Sequence, residues 1–201
     1  RYPDGRVLKI PPVLHVTVFG RIPDVGKTVS CDIKQPGSTL VLVGKMDADS
    51  LGGSVYCDSQ GVENTYLPHV DIKQLPHTLH AMHAAIQSGE VLSVKAIAEG
   101  GLAAAVSQMC FGGDCGAEID MKGIGARPDF ALFNETTGCF VVEVANEELA
   151  HLLFDGIPHA ILGQTRLDKE ITVCDGESTI LSADLYDLKI AWQQPMKEVL
   201  A

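Results

Sequence analysis

Gly100 and Gly101 carry the plainest chemical possibility in this chain, because of what flanks them. Val91–Ile97 has the β-branched content and bounded length of a short buried strand. LAAAVSQM, from Leu102 onward, is dense in good helix formers. Two glycines between a strand and a helix remove two Cβ atoms where the helix's first free amides point outward. Unpaired amides and the helix dipole both favour an anion there, so Gly100, Gly101 and Leu102 form a candidate phosphate- or carboxylate-binding turn. The same glycines equally suit a tight turn packed on a neighbouring sheet. Glu99, beside the turn, opposes an anion unless it points away.

Other chemistry is sparser. His77, His80 and His83 follow at steps of three on a predicted helix. At about 100° per residue each step turns by about −60°, so the outer two lie about 120° apart and all three converge poorly on one metal. They read either as a two-histidine ligand pair or as a solvated helix face. Leu51-Gly52-Gly53-Ser54 is a second two-glycine turn, of a kind common in α/β proteins. The six cysteines form no C-x-x-C pair, and they read as reduced, largely buried thiols. No Walker A or G-x-S-x-G motif occurs, and no catalytic or metal-ligating residue is assigned.

These residues are set among alternating elements. Strands are predicted at Val13–Phe19, Thr39–Val43, Val91–Ile97 and Cys139–Val144. Ala160–Leu167 and Glu170–Cys174 are predicted to pair as a hairpin, and Thr179–Leu181 to form a last short strand. A helix is expected from Asp71 to Ser88 with Leu75, Leu79, Met82 and Ile86 on one stripe, closed by Gly89. Ser59–Pro68 and Lys122–Pro128 read as loops, with a helical turn at Asp129–Phe133. Asn146 caps a helix through Phe154, with Glu147 and Glu148 at its positive end. Ser182 is expected to cap a final helix from Ala183. Pro195 kinks or ends that helix, and Trp192 is buried against the sheet beside Leu185 and Leu188.

Composition bounds the rest. The 201 residues are 46% hydrophobic, enough for a sizeable core, with a formal net charge of −11. That charge argues against a nucleic-acid or anionic-membrane surface, which needs clustered Lys and Arg. No apolar run approaches a membrane span and no signal peptide is visible, so a cytoplasmic location is expected. The chain opens on Arg1 rather than Met, compatible with a piece of a longer polypeptide.

Several segments, in this order, resemble one family. TLVLVG, then LGGSVY, the long helix, SVKAIAEGGLAAAVSQMCFGGDCGAEIDM and LFNETTGCFVVEV are similar to the C-terminal domain shared by aminoimidazole ribonucleotide and formylglycinamidine ribonucleotide synthetases. The resemblance runs from about Ile10 to Trp192. It is greater to phosphoribosylformylglycinamidine synthase, whose long single-chain forms contain this domain twice, and LFNETTG looks most like the second copy. It implies an α+β, three-layer α/β/α domain with a mixed sheet and partly ferredoxin-like topology. The domain would span residues 37–201, after a lead-in of residues 1–36 that holds one strand and comes from the preceding part of a parent chain.

The resemblance also implies a function. The family enzyme converts formylglycinamide ribonucleotide to its amidine with ATP, magnesium and ammonia released from glutamine. This chain departs from the competent pattern at two places. Lys95-Ala96-Ile97-Ala98-Glu99-Gly100-Gly101 stands where such copies show His-Asp-x-Ser-x-Gly-Gly. Asn134-Glu135-Thr136-Thr137-Gly138-Cys139 stands where they carry Ser-Glu-Ser-Gln-Glu-Arg. Glu135 is kept and Thr136 retains a hydroxyl, so these two are expected to line the Gly100–Leu102 turn. ATP and magnesium contacts, and the glutaminase, belong to partner domains in the family. The chain is therefore expected to be inactive alone, to bind no cofactor by itself, and to partner with those domains and a small nucleotide substrate, not with nucleic acid or membrane. Two alternatives stand beside this reading. One is a domain of a related ATP-dependent enzyme, such as selenophosphate synthetase, thiamine-monophosphate kinase or a hydrogenase maturation factor. The other is a stand-alone binding or scaffold module.

Overall fold

The computed structural model describes residues 4, 5, 7, 9, 13–63, 66–125 and 127–200. Parts of the lead-in and of the predicted loops at 59–68 and 122–128 lie outside the described residues. Seven strands form one sheet: β1 Thr39–Val43, β2 Val91–Ala96, β3 Gly116–Asp120, β4 Phe140–Val144, β5 His159–Arg166, β6 Glu170–Asp175 and β7 Ser178–Asp184. Their order is β2-β4-β1-β5-β3-β6-β7, and only β3 and β6 run parallel. The helices are α1 Val55–Gln60, α2 Leu75–Ser88, α3 Gly101–Gly113, α4 Pro128–Leu132, α5 Glu147–Leu153 and α6 Leu185–Leu200.

The sheet is mixed and layered, as the resemblance implies. Alternation along the strands sends Leu40, Leu42, Ala117, Ile119, Val141, Ile171 and Val173 to one face, where they meet Leu102, Val106 and Met109 of α3, Leu132 of α4 and Leu185 of α6. Val41, Val43, Val142 and Val144 face the other way, onto Met82 and Ala85 of α2, Ala150 of α5, and Phe154. β1, α2, β2, β4, α5 and β5 thus make the ferredoxin-like part, with strand order β2-β4-β1-β5. Beyond β5 the described helices cover only one face. Glu118 and Asp120 of β3 and Gln164 and Arg166 of β5 line an open cavity of about 460 Å³ on the bare side. The guanidinium of Arg166 is already paired there with Glu118 and Asp168. Backbone amides of Gly176 and Lys122 donate to Asp120 and hold its carboxyl below the usual range.

Five expectations are corrected. β5 and β6 do not form a hairpin, because β3 lies between them. The link at 167–169 passes over the start of β3, where the Gly116 amide donates to the Asp168 carbonyl at 2.8 Å. Any Cβ at Gly116 would run into the Asp168 and Glu170 carbonyls, so the crossing requires glycine. Ser182 lies within β7 opposite Thr172, and Asp184 caps the final helix by accepting from the Tyr186 and Asp187 amides. Trp192 is 56% exposed: it lies at the margin of the domain, with the Phe111 ring at 5.7 Å between centroids, and borders an open cleft with Asp32 and Gln108 rather than packing under the sheet. α6 also continues through Pro195 to Leu200. Val13–Phe19 forms no strand, since no sheet edge among the described residues meets it.

The long helix shifts by less. It opens at Leu75 rather than Asp71, whose side chain instead accepts from the Lys73 and Gln74 amides in a turn. Its buried stripe is Thr78, Met82 and Ala85, leaving Leu79 48% exposed. Gly89 ends it in a left-handed conformation. His77, His80 and His83 lie on its exposed side. All six cysteines are free, and burial pushes the Cys110 and Cys139 thiols up to about 12 and about 11.

Candidate functional site

The two glycine turns, at 51–54 and 98–101, meet in space, and the segment Asn134-Glu135-Thr136 fastens them together. The Glu135 carboxylate accepts from the Gly100 amide at 2.9 Å and from the Val55 amide, at the start of α1, at 3.0 Å. Ser54 caps the same helix by accepting from the Cys57 amide. Asn134 is fully buried; its amide nitrogen donates to the Asp47 and Ser50 carbonyls at 2.7 and 2.8 Å. Thr136, buried beside it, donates its hydroxyl to Asn134 Oδ1 and accepts from the Asp47 amide. Tyr56 completes the cluster, stacking on Phe133 at 4.8 Å and donating to Asp129.

Each predicted site residue can now be placed. The Gly100 amide donates to Glu135, and the Gly101 amide donates to the Ala98 carbonyl at 2.9 Å. Gly101 adopts φ +68°, and a Cβ there would sit 2.6 Å from Phe133 C and 2.8 Å from Asn134 O. The glycine is therefore demanded by the close passage of the 133–134 backbone. Leu102 is buried in the core, and its amide opens the first turn of α3. Glu135 reaches the turn as a bound anion, accepting from the Gly100 amide, rather than as a wall around one. Thr136 points away, into the Asn134 network. Lys95, Glu99, Gly101 and Gln108 border a cleft of about 400 Å³ against the start of α3. Glu99 is exposed beside it.

Two residues escaped sequence reasoning. Asn134 stands out in the sequence only as part of the Asn-Glu-Thr-Thr-Gly motif, although a buried carboxamide that joins three carbonyl or hydroxyl partners organises the loop. Glu143, fully buried in β4, accepts from the Lys34 amide at 3.0 Å, the Ser38 hydroxyl at 2.6 Å and the Ser93 hydroxyl at 2.7 Å. The Gln35 amide adds a fourth donor at 3.3 Å. The signal was available: a lone carboxylate in the apolar run CFVVEV has to find donors once the strand is central.

No three His, Cys, Asp or Glu side chains among the described residues converge as a metal site. The Gly100 amide is not free for a ligand anion, since the Glu135 carboxylate already accepts from it.

A mixed sheet with a ferredoxin-like half, joined by paired glycine turns, defines an α+β domain of a known kind. The sequence matches the family described as AIR synthase related protein, C-terminal domain, over residues 35–169, and the chain belongs to that family. It is 31% identical over 210 residues to the phosphoribosylformylglycinamidine synthase subunit PurL of Deinococcus radiodurans, an alignment covering 100% of this chain and 28% of that protein. The solved structure of T. maritima PurL complexed with FGAR has the same fold, with a TM-score of 0.65 at 14% identity over 82% of this chain and 30% of that one. Hydrogenase maturation protein HypE shares it more distantly, with a TM-score of 0.51 at 14% identity over 72% of this chain and 51% of that one. The chain thus spans under a third of the length of the PurL proteins it matches.

Proposed function

We propose that this chain is a domain of a phosphoribosylformylglycinamidine synthase, the second C-terminal-type copy of a long single-chain form. The whole enzyme would be a glutamine-dependent C–N ligase of purine synthesis in the cytoplasm. It would convert formylglycinamide ribonucleotide to its amidine with ATP, magnesium and ammonia. The observation that carries this reading is the alignment with the Deinococcus subunit, which runs the length of the chain and so includes the lead-in outside the matched family domain. Among the described residues no helix is long and apolar enough to cross a membrane.

Within such an enzyme the domain would act by shape and by contact with its neighbours, the ATP-binding domains and the glutaminase domain. Its own residues hold two turns and the start of α3 in one place through Glu135. The cleft beside Gly101 and Leu102, with Lys95 at its border, is the surface on which a substrate phosphate or a neighbouring domain would sit. ATP and magnesium would be held by the partner domains.

Two experiments test this. The purified 201-residue chain should neither hydrolyse ATP nor form amidine from substrate, ATP and ammonia, while the full reading frame should do both. Steady turnover by the 201-residue chain, abolished by a point change within it, overturns the expectation. Titration with phosphate or ribose 5-phosphate, followed by backbone amide NMR, tests the turn: Gly101 and Leu102 should shift, weakly, at millimolar ligand. If they stay still while other amides move, the turn is architecture alone. A second reading, a non-catalytic scaffold module, is favoured by Glu135 filling the Gly100 position. A reading frame with no adjoining ATP-binding domain would select it.

A further inference from the structure

His151 and His159 are eight residues apart, a spacing that belongs to no common metal motif, yet the fold brings their rings together. His151 stands in the last turn of α5, and His159 opens β5 opposite Val43 of β1. His151 Nδ1 lies 2.9 Å from His159 Nε2, and His159 Nδ1 lies 2.8 Å from the Ile157 carbonyl oxygen. A carbonyl only accepts, so His159 carries a proton on Nδ1. In the neutral ring Nε2 then bears a lone pair, and the proton between the two rings belongs to His151 Nδ1. His159 is half-buried, with the fully buried Phe154 ring 6.2 Å away, whereas His151 is exposed. One imidazole is held in place and the other can turn.

We propose that this pair is a binding site for a borderline divalent cation, Ni²⁺ or Cu²⁺, which takes the place of the proton between the rings. With imidazole nitrogens about 2.0–2.1 Å from the ion, two of them at a right angle stand about 2.9 Å apart, against about 3.4 Å at the tetrahedral angle. The observed separation is that of the right angle, which these two ions favour with nitrogen ligands. The bond from His159 Nδ1 to the Ile157 carbonyl is the outer contact that ligating histidines make, and it keeps Nε2 on target. On the other side, a turn of the exposed His151 ring aims its Nδ1 at the ion. That ring changes tautomer: Nδ1 releases its proton to water and Nε2 takes one up, so the ring stays neutral. The carbonyl end of α5 and a chain charge of −11 favour a cation there. Among the described residues no third His, Cys, Asp or Glu converges on the pair, so water fills the remaining positions. The bound ion ties the end of α5 to the start of β5. His77, His80 and His83, on the exposed side of α2, are the competing site. The inference is independent of the purine-enzyme reading.

Ni²⁺ alone, titrated into the untagged 201-residue chain and followed by calorimetry and imidazole NMR, tests this. The ion is paramagnetic, so the ring signals of His151 and His159 should broaden first, before those of His77, His80 and His83. His151→Ala should weaken binding by more than the roughly 10–100-fold that losing an outer contact costs. Replacing His77, His80 and His83 together by Ala should leave it unchanged. Ni²⁺ should raise the melting midpoint of the wild type and not that of His151→Ala, because only the folded chain holds the two rings together. The midpoint of His151→Ala without metal reports whether that variant is folded, and the wild-type ring signals test the site without any variant. Broadening that begins on α2 and is lost with its three histidines overturns the inference. So does affinity in folded His151→Ala equal to the wild type, or the absence of one-to-one binding at millimolar Ni²⁺.

Discussion

Glu135 and Glu143 solve the same problem in opposite settings. Each carboxylate gathers backbone amides from segments distant in sequence: Glu135 joins Gly100 to Val55, and Glu143 joins residues 34 and 35 to β4. Glu135 sits on a partly exposed loop, where water can replace it. Glu143 is in a central strand with no exposure, and the Ser38 and Ser93 hydroxyls it satisfies are buried with it, while the Lys34 and Gln35 amides lie at a part-buried margin. The difference teaches that the residue nearest the suggestive motif need not be the one the fold depends on. Desolvation, not the number of hydrogen bonds, separates the two.

The sharpest way to break the comparison is to remove each carboxylate. Glu143→Ala should cost about 3–5 kcal/mol in denaturant melts, because it leaves two buried hydroxyls and two part-buried amides without their acceptor. A loss under about 1 kcal/mol would show that the donors find other partners, and Glu143 would then be no different in kind from Glu135. Gly101→Ala should come next, at about 2–3 kcal/mol. Its positive φ and the facing backbone of 133–134 leave a methyl group no room, and neither can yield cheaply. If that variant is near wild type in stability, the turn is looser than its contacts indicate and the ligand-binding reading gains ground.

Glu135→Ala should cost only about 1 kcal/mol, the usual scale for losing a cap whose amides water can reach. That variant also sharpens the functional reading, since freeing the Gly100 amide should enlarge the phosphate-induced shift at Gly101 and Leu102. No change in that shift would remove Glu135 from the site. Trp192→Ala calibrates the scale without any carboxylate. At 56% exposure, with one aromatic neighbour, it should cost about 1 kcal/mol rather than the 3–5 typical of a buried aromatic. A larger loss would mean that α6 packs more closely in solution.

Much of the fold was legible along the chain, where the signal is local. Thr39–Val43 and Phe140–Val144 are apolar runs of strand length, and both are central strands. Asn146 caps α5 through the Leu149 amide, and Gly89 closes α2, because capping chemistry depends on a few adjacent residues. The errors fall where a distant segment decides. Ala160–Cys174 looks like a hairpin locally, and only the insertion of β3 shows otherwise. Leu79 fits the helical stripe, but the sheet lies a fraction of a turn away, so Thr78 is buried in its place. Trp192 follows Leu185 and Leu188 on one face, yet it meets the domain only at its margin, beside Phe111, and stays 56% exposed.

The candidate site divides in the same way. By itself the sequence determined that a strand meets a helix through two glycines, that Glu135 stands near them, and that the family is one of mixed-sheet α+β domains. The first follows from residue types and spacing, which act through backbone geometry over a few residues, and the other two from the resemblance of motifs in a fixed order to one family. Only the tertiary structure decided that Glu135 is the anion on the Gly100 amide, that Gly101 makes room for the 133–134 backbone, and that Glu143 ties the lead-in to the sheet. Each of these depends on which distant donors lose their water together. That is set by how the layers close, not by any neighbour in the chain.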